Sequence, residues 1–329
     1  MFDYSKTKKE EISCNLCGRN DFSVIARKSK NNLPVATVMC RNCSLIYINP
    51  RMIGEEYDNY YKYFYRVDRN TIKGTTADTE LEKNFENARK FGQALGRRYQ
   101  EFFKPGLTVD VGSSTGGVLC GLREVIPTLK ILGIEPSVAE SELARNHGVP
   151  TKTILFENFR DNLPEAPVNI FCVQSLNHLL DPKGFMTWAY QTLIDGGSLF
   201  LAVKNFRHQA RRAGSISAGV QIDHPYMFIP ETLRSMIGSA GFRIAVFEVD
   251  EGKSQEELLN QKAEGLPRHH IRVVAVKDNS DNSKKVALVL PNFWVRFKLR
   301  LALSWPILKL FYLIKYSHRW TWQKSKVVV

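Results

Sequence analysis

The chain reads as an α/β protein on a doubly wound, mainly parallel sheet, with a four-cysteine module ahead of it and a basic, aromatic tail behind. Three observations predict this. Residues 108–136 alternate an apolar β-branched run, a glycine turn, a helical stretch and a second apolar run ending in Glu135. Further short apolar runs then recur between helical stretches as far as residue 277, the pattern of strands covered on both faces. Two Cys-x-x-Cys pairs stand before the first of these units, and no Asp or Glu follows Asp281. Taken in order, the domains are 1–50, the cysteine module; 51–103, a helical connector; 104–277, the sheet domain; and 278–329, the tail.

In the module, Cys14 and Cys17 are separated from Cys40 and Cys43 by twenty-two residues. Four thiolates so spaced can surround one ion as a tetrahedron, which suits structural zinc; free thiols and two disulfides are the alternatives. Such a closed site keeps no position for a substrate, so its role is structural. Gly18 lets the chain turn beneath the metal, and Ser23–Ala26 and Val35–Met39 are the expected strands of a zinc ribbon. The polar start of the chain lacks the apolar run of a signal peptide, so the expectation is a cytoplasmic protein.

In the connector, Tyr57, Tyr60, Tyr61 and Phe64 follow helical spacing, which predicts packing, with one or two rings left to line a cleft. Residues 80–103 form an amphipathic helix with Leu81, Phe85, Ala88, Phe91, Leu95, Tyr99 and Phe102 along one stripe. Pro105-Gly106 ends it.

The central unit follows. Val109 and Val111 flank Asp110 in a strand, Gly112, Gly116 and Gly117 break it, and Leu119, Leu122 and Val125 share one face of the next helix. Ile131, Leu132 and Ile134 make the second strand, with Glu135 at its carboxyl end. Glycines allow the backbone to approach a ligand closely, and an acid at that strand end can accept both hydroxyls of a ribose. Together they ask for an adenosine-type cofactor. The dinucleotide spacing Gly-x-Gly-x-x-Gly is not met, because Ser114 stands at the third position. A nicotinamide dinucleotide, or a turn with no cofactor, stays open on the residues alone.

The run Val109-Asp110-Val111-Gly112-Ser113-Ser114-Thr115-Gly116 resembles the first motif of class I S-adenosylmethionine-dependent methyltransferases. Asp110, Gly112, Thr115 and Gly116 match, and Ser114 replaces the middle glycine. The resemblance extends over residues 12–277 and includes the four-cysteine zinc module. It is nearest to bacterial sugar C-methyltransferases and to relatives found with surface-polysaccharide genes. It implies a Rossmann-like seven-stranded methyltransferase sheet and methyl transfer from S-adenosylmethionine. The implied acceptor is a small, anionic, nucleotide-linked or lipid-linked sugar. Gly112 and Gly116 would then hold the methionine part and Glu135 the ribose, with Asp110, Ser113 and Asn177 as further cofactor-binding candidates.

Further along, residues 138–147 form a helix capped by Gly148, and Thr151–Phe156 a third strand. The resemblance puts Asn158 and Phe159 beside the adenine; an ordinary strand-to-loop junction is the alternative. Asn169–Gln174 is a buried fourth strand. Ser175–Pro182 matches the family segment next to the sulfonium, with Asn177 in place of the usual acid and His178 retained. Lys183–Leu193 is a helix and Ser198–Val203 the fifth strand. From Lys204 to Val220 periodicity is lost; Arg207, His208, Arg211 and Arg212 make a basic loop that either grips an anion such as a diphosphate or is solvated. The segment Asp223-His224-Pro225-Tyr226 precedes a helix at Pro230–Ser239, and Ala240-Gly241-Phe242 again resembles the family. His224 is the first candidate for the base that takes a proton from the acceptor, and Tyr226 the second. Arg243–Val249 and Ile271–Lys277 are the last two strands, around a charged excursion at 250–270.

In the tail, large aromatic and aliphatic residues such as Phe293, Trp294, Phe297, Trp305, Phe311, Trp320 and Trp322 are interspersed with Lys and Arg, ten of which follow Asp281. Subtracting those ten from the net charge of +13 leaves +3 for the rest, so the basicity does not argue for a nucleic-acid partner. The apolar run Leu301–Ile314 is too short to cross a bilayer. Residues 284–329 suit peripheral contact with an anionic membrane surface; packing on the body or on another protein are the alternatives. A membrane-recruited, catalytically degenerate cofactor-binding protein is the competing class, supported by Ser114 and Asn177.

Overall fold

The structure, a computed structural model, describes residues 2–65, 77–159, 163–268 and 270–278. The expectations for residues 279–329, the membrane-facing tail among them, lie outside the described residues.

The cysteine module contributes five short strands: β1 (Lys9–Glu10), β2 (Phe22–Ala26), β3 (Thr37–Cys40), β4 (Ile46–Ile48) and β5 (Arg51–Met52). β2, β3 and β4 form an antiparallel meander, and β1 pairs with β5. Helix Gly54–Asn59 runs into a π-helical turn at Tyr60–Phe64 that buries Tyr60 and Tyr61.

The second sheet starts at β6 (Gly106–Val111), followed by β7 (Leu129–Ile134), β8 (Thr151–Lys152), β9 (Asn169–Val173) and β10 (Ser198–Lys204). β11 (Tyr226–Met227) belongs elsewhere, and β12 (Arg243–Glu248) and β13 (His270–Val276) finish the sheet. Its order is β8-β7-β6-β9-β10-β13-β12, with β13 antiparallel to both neighbours. This is the expected seven-stranded, doubly wound arrangement. The order reverses between β6 and β9, so the crevice for a ligand opens at their carboxyl ends.

Strict alternation along the strands divides the core in two. Leu199, Leu201 and Val203 of β10 face one layer with helices Pro182–Thr192 and Pro230–Ser239, while Phe200 and Ala202 face the other. On that second face, helices Ala77–Tyr99 and Gly117–Val125 pack so closely that a Cβ at Gly117 or Gly121 would overlap the carbonyl of Phe85 or Arg89. The module joins the first layer, where Leu16, Val38 and Tyr47 sit in the same cluster as Val109 and Ile134.

Four elements differ from expectation. The third strand ends at Lys152 rather than Phe156: it is an edge strand pairing only through Gly133↔Thr151 and Ile134↔Lys152, and a 3-10 turn takes Phe156–Asn158. The basic stretch after Lys204 is not a loop throughout but contains helix Phe206–Ala213, held on its apolar side by buried Phe206 and Ala210 alone. The excursion after residue 250 holds helix Gln255–Ala263, started by a Ser254/Glu257 capping box. Finally, β11 adds to the module's sheet, antiparallel to β4 with Tyr226↔Tyr47 and Met227↔Ile46.

Candidate active site

The loop leaving β6 is shaped by three left-handed residues, Gly112 (φ 76°), Ser114 (φ 50°) and Gly116 (φ 76°). Two are glycines, for which this region costs little. Ser114 is the exception, and it explains why a glycine is usual there. Here its N–H donates to Glu135 Oε2 at 2.9 Å and its hydroxyl to Glu140 Oε1 at 3.1 Å, bonds that offset the strain. At Gly112 a Cβ would overlap the Ser175 side chain, whose hydroxyl donates to the Gly112 carbonyl at 2.9 Å. The absent side chain therefore lets the ends of β6 and β9 close together.

Glu135 is buried at the end of β7, its Oε1 accepting the Ser137 N–H at 2.9 Å. A carboxylate offers about four lone-pair sites, so a pair of ribose hydroxyls can still be accepted beside these two N–H groups. Asp110 Oδ1, Ser113 Oγ, Thr115 Oγ1 and Asn177 Oδ1 are buried with no hydrogen-bond partner in the protein. All four belong to β6, its loop or the turn after β9. Orphaned buried polar atoms are costly, and their gathering at the switch point fits a polar ligand such as S-adenosylmethionine. Burial, and then the Glu135 charge, push the Asp110 carboxyl up to about 8, against a lowering hydrogen bond from the Val173 backbone. Asn158 is exposed on the 3-10 turn, while Phe159 is buried in the first core layer.

A second group of side chains gathers beyond β9. His178 ends the 3-10 turn Leu176–His178, and its N–H donates to the Ser175 carbonyl at 2.8 Å. Its ring meets that of His224 edge-on with centroids 4.5 Å apart. Asp223 Oδ2 lies 3.9 Å from His178 Nδ1 and 3.9 Å from His224 Nε2. Burial acts to raise the Asp223 carboxyl, but the His224 and His178 imidazoles outweigh it, so the group stays below its ordinary value. Tyr61, from the π-helical turn, closes the group: its hydroxyl is 2.8 Å from His178 Nδ1 and donates to the Asp223 carbonyl at 3.1 Å. A phenol has one proton. When that proton goes to Asp223, His178 Nδ1–H donates to Tyr61 and Nε2 is the basic nitrogen; when it goes to Nδ1, the imidazole proton is on Nε2. His224 Nδ1 instead faces the Gln221 amide nitrogen at 3.3 Å and accepts from it, which puts the proton on Nε2, toward Asp223.

The sequence thus singled out both histidines, and the fold brings them together. It did not single out Asp223 or Tyr61 as site residues. Tyr226 lies apart from the imidazoles: its hydroxyl donates to the Leu180 carbonyl at 3.3 Å and accepts from Arg51 at 3.2 Å, and burial raises its pKa. Of the basic stretch, Arg207 is paired with Glu231 and Glu251.

In the module, Cys14 and Cys43 sulfurs are 3.4 Å apart, Cys17 and Cys40 sulfurs 3.6 Å, and all four lie within 4.8 Å of one another. These separations exceed a disulfide bond of about 2.0 Å. They sit near the about 3.8 Å between thiolates around tetrahedral zinc at about 2.3 Å per bond. The donor set therefore fits a structural zinc ion. His178, Asp223 and His224 also fall within 4.8 Å of one another, which gathers one carboxylate and two imidazoles at a single point.

Comparison with known proteins agrees with this geometry. The family profile described as a methyltransferase domain matches residues 81–245, half of the chain. Similar solved structures include the plantazolicin methyltransferase BpumL in complex with SAH, at 14% identity, 68% of this chain, 98% of that chain and TM-score 0.47. Others are a possible histamine N-methyltransferase from Thermotoga maritima (19% identity, 61% and 95% covered, TM-score 0.43) and an S-adenosylmethionine-dependent methyltransferase from Clostridium acetobutylicum (12%, 66% and 98%, 0.45). A comparison with curated proteins gave no match. Among the described residues, no helix is long and apolar enough to cross a membrane.

Proposed function

This chain belongs to the methyltransferase-domain family and is an S-adenosylmethionine-dependent methyltransferase; on that premise we propose that its acceptor is a small anionic sugar, nucleotide-linked or lipid-linked. The likeness of residues 12–277 to sugar C-methyltransferases supports this substrate class. So does the pair of imidazoles around one buried carboxylate, which suits an acceptor that must lose a proton.

When bound, S-adenosylmethionine supplies an electrophilic methyl group on a sulfonium. Gly112, Ser113 and Gly116 form the cradle for its methionine part, Glu135 holds the ribose, and Asn177 presents its amide oxygen toward the same crevice. His178 Nε2 takes the acceptor proton. The observation that carries this assignment is the Tyr61 hydroxyl between His178 Nδ1 and the Asp223 carbonyl, an arrangement suited to a proton on Nδ1 and a basic Nε2. The nearby Asp223 carboxylate favours the imidazolium that forms. His224, first in order on sequence grounds, helps hold Asp223.

The test is to incubate methyl-labelled S-adenosylmethionine with nucleotide-linked sugars, free sugars, lipid-linked glycans, peptides and RNA. Label is expected in one of the linked sugar classes, and His178→Ala is expected to slow its transfer about 10²–10⁴-fold, the usual contribution of a positioned base. Label only in peptide or RNA overturns the acceptor class. Full turnover by His178→Ala across pH removes the base.

A further inference from the structure

We propose that Arg51 is a positioning residue for the two acceptor-side histidines, tying both to the cysteine module. The inference rests on the reading of His178 and His224 as acceptor-side groups. Arg51 opens the connector in β5, which pairs with β1 of the module, and its Nε donates to Glu10 Oε1 at 3.0 Å across that pair. Its Nη1 donates to the Leu180 carbonyl at 2.7 Å, two residues beyond His178. The same nitrogen donates to the Tyr226 hydroxyl at 3.2 Å, two residues beyond His224. Tyr226 in turn donates to that Leu180 carbonyl at 3.3 Å. One guanidinium therefore joins the segments carrying the two imidazoles, and its side chain is only 11% exposed. A planar, charged fork with several fixed donors suits this task; an ammonium cannot reproduce its directions.

The surroundings give the link leverage. The segment after His224 is itself β11, the outer strand of the module's sheet, and the Ile48 N–H donates to the Pro225 carbonyl at 2.9 Å. On the His178 side, Asn15, between Cys14 and Cys17, donates to Asp181 Oδ1 at 2.7 Å and accepts the Lys183 N–H at 2.9 Å. The histidines are thus anchored to the module from two directions and meet at Arg51. The Gly112 loop and Glu135 make no bond to Arg51 among the contacts described.

The test compares Arg51→Met, Arg51→Lys and Tyr226→Phe in the full chain, with S-adenosylhomocysteine as the probe. Zinc content is read by native mass spectrometry, probe affinity by calorimetry, and the His178 and His224 imidazoles by proton NMR titration. In Arg51→Met we expect zinc retained, probe affinity within about twofold, and both imidazole midpoints moved by about half a pH unit or more. Arg51→Lys is expected to restore them only in part, and Tyr226→Phe to give a smaller shift that does not add to that of Arg51→Met. Unmoved imidazoles in Arg51→Met overturn the proposal, as does loss of zinc or probe binding in step with the shift, which would make Arg51 a general support. Should Arg51→Met fail to fold, Tyr226→Phe, which removes only a hydroxyl, decides by the same criteria. Shifted imidazoles together with full methyl transfer by His178→Ala would instead sink the acceptor-side reading.

Discussion

The proposed cofactor half of the cleft and the proposed acceptor half are built over different lengths of chain. Ser114 reaches Glu135 across 21 residues and Glu140 across 26, and Ser175 reaches Gly112 across 63. Tyr61 reaches His178 across 117 residues and Asp223 across 162. The first half is thus mainly one strand-turn-helix-strand unit, closed by Ser175 and Asn177 from the turn after β9. The second exists only where the connector, the turn after β9 and the start of β11 meet, and the module supplies the sheet on which that meeting depends. A local unit tolerates damage elsewhere; an assembled one inherits the stability of every part that holds it.

The largest effect expected from this contrast comes from Cys40→Ser. Zinc held by four thiolates contributes about 10–16 kcal/mol in small metal-folded domains, so the variant should lose its ion and unravel β2, β3, β4 and β11. Hydrogen exchange should show protection lost there and around Asp223, while S-adenosylhomocysteine still binds at the Gly112 loop. Loss of probe binding to the same degree would break the contrast. A smaller effect is expected from Glu135→Ala, which should weaken cofactor affinity by about 1–3 kcal/mol, the cost of removing hydrogen bonds to a charged group, and leave the imidazole titrations in place. Unchanged affinity in a calorimetric titration would remove Glu135 from the ribose.

What the sequence made legible follows the same division. The Gly112 turn, Glu135 and the buried strands are local patterns, and each stands where its spacing put it. The cysteine pairs were equally clear, because four thiols at that spacing have few other uses. Tyr61 was one of six aromatics among the nine residues from Tyr57 to Tyr65, and nothing in that run marks which ring turns toward a histidine 117 residues away. Asp223 carried a signal, its adjacency to His224, but one acid beside one histidine says nothing of a second imidazole. β11 is two residues long, too short for any alternation to show. Helix Phe206–Ala213 escaped because its buried side is only Phe206 and Ala210 among charged and polar neighbours. The helix at Gln255–Ala263 did have a readable start in Ser254 and Glu257.

A pH effect sharpens the cofactor half alone. The Asp110 carboxyl is raised to about 8 by burial and the neighbouring Glu135, against 3.8 in an exposed group. The folded chain therefore holds a proton that the unfolded chain has released between about pH 4 and 8. The stability this group contributes is full below the unfolded value and is lost as pH rises through the folded one. Melting temperature should accordingly fall from pH 5 to pH 8, and Asp110→Asn should flatten part of that fall. An identical slope in the variant would exclude Asp110 as its source.

The central claim is that the loop after β6 and Glu135 hold an adenosyl cofactor whose sulfur faces the His178–Asp223–His224 group. A crystal of the full chain grown with S-adenosylhomocysteine tests it most directly. The account predicts density for the ribose hydroxyls on Glu135 and for the sulfur on the side of the two imidazoles. Density for the ligand elsewhere, or a crevice filled by the chain's own side chains, would contradict it.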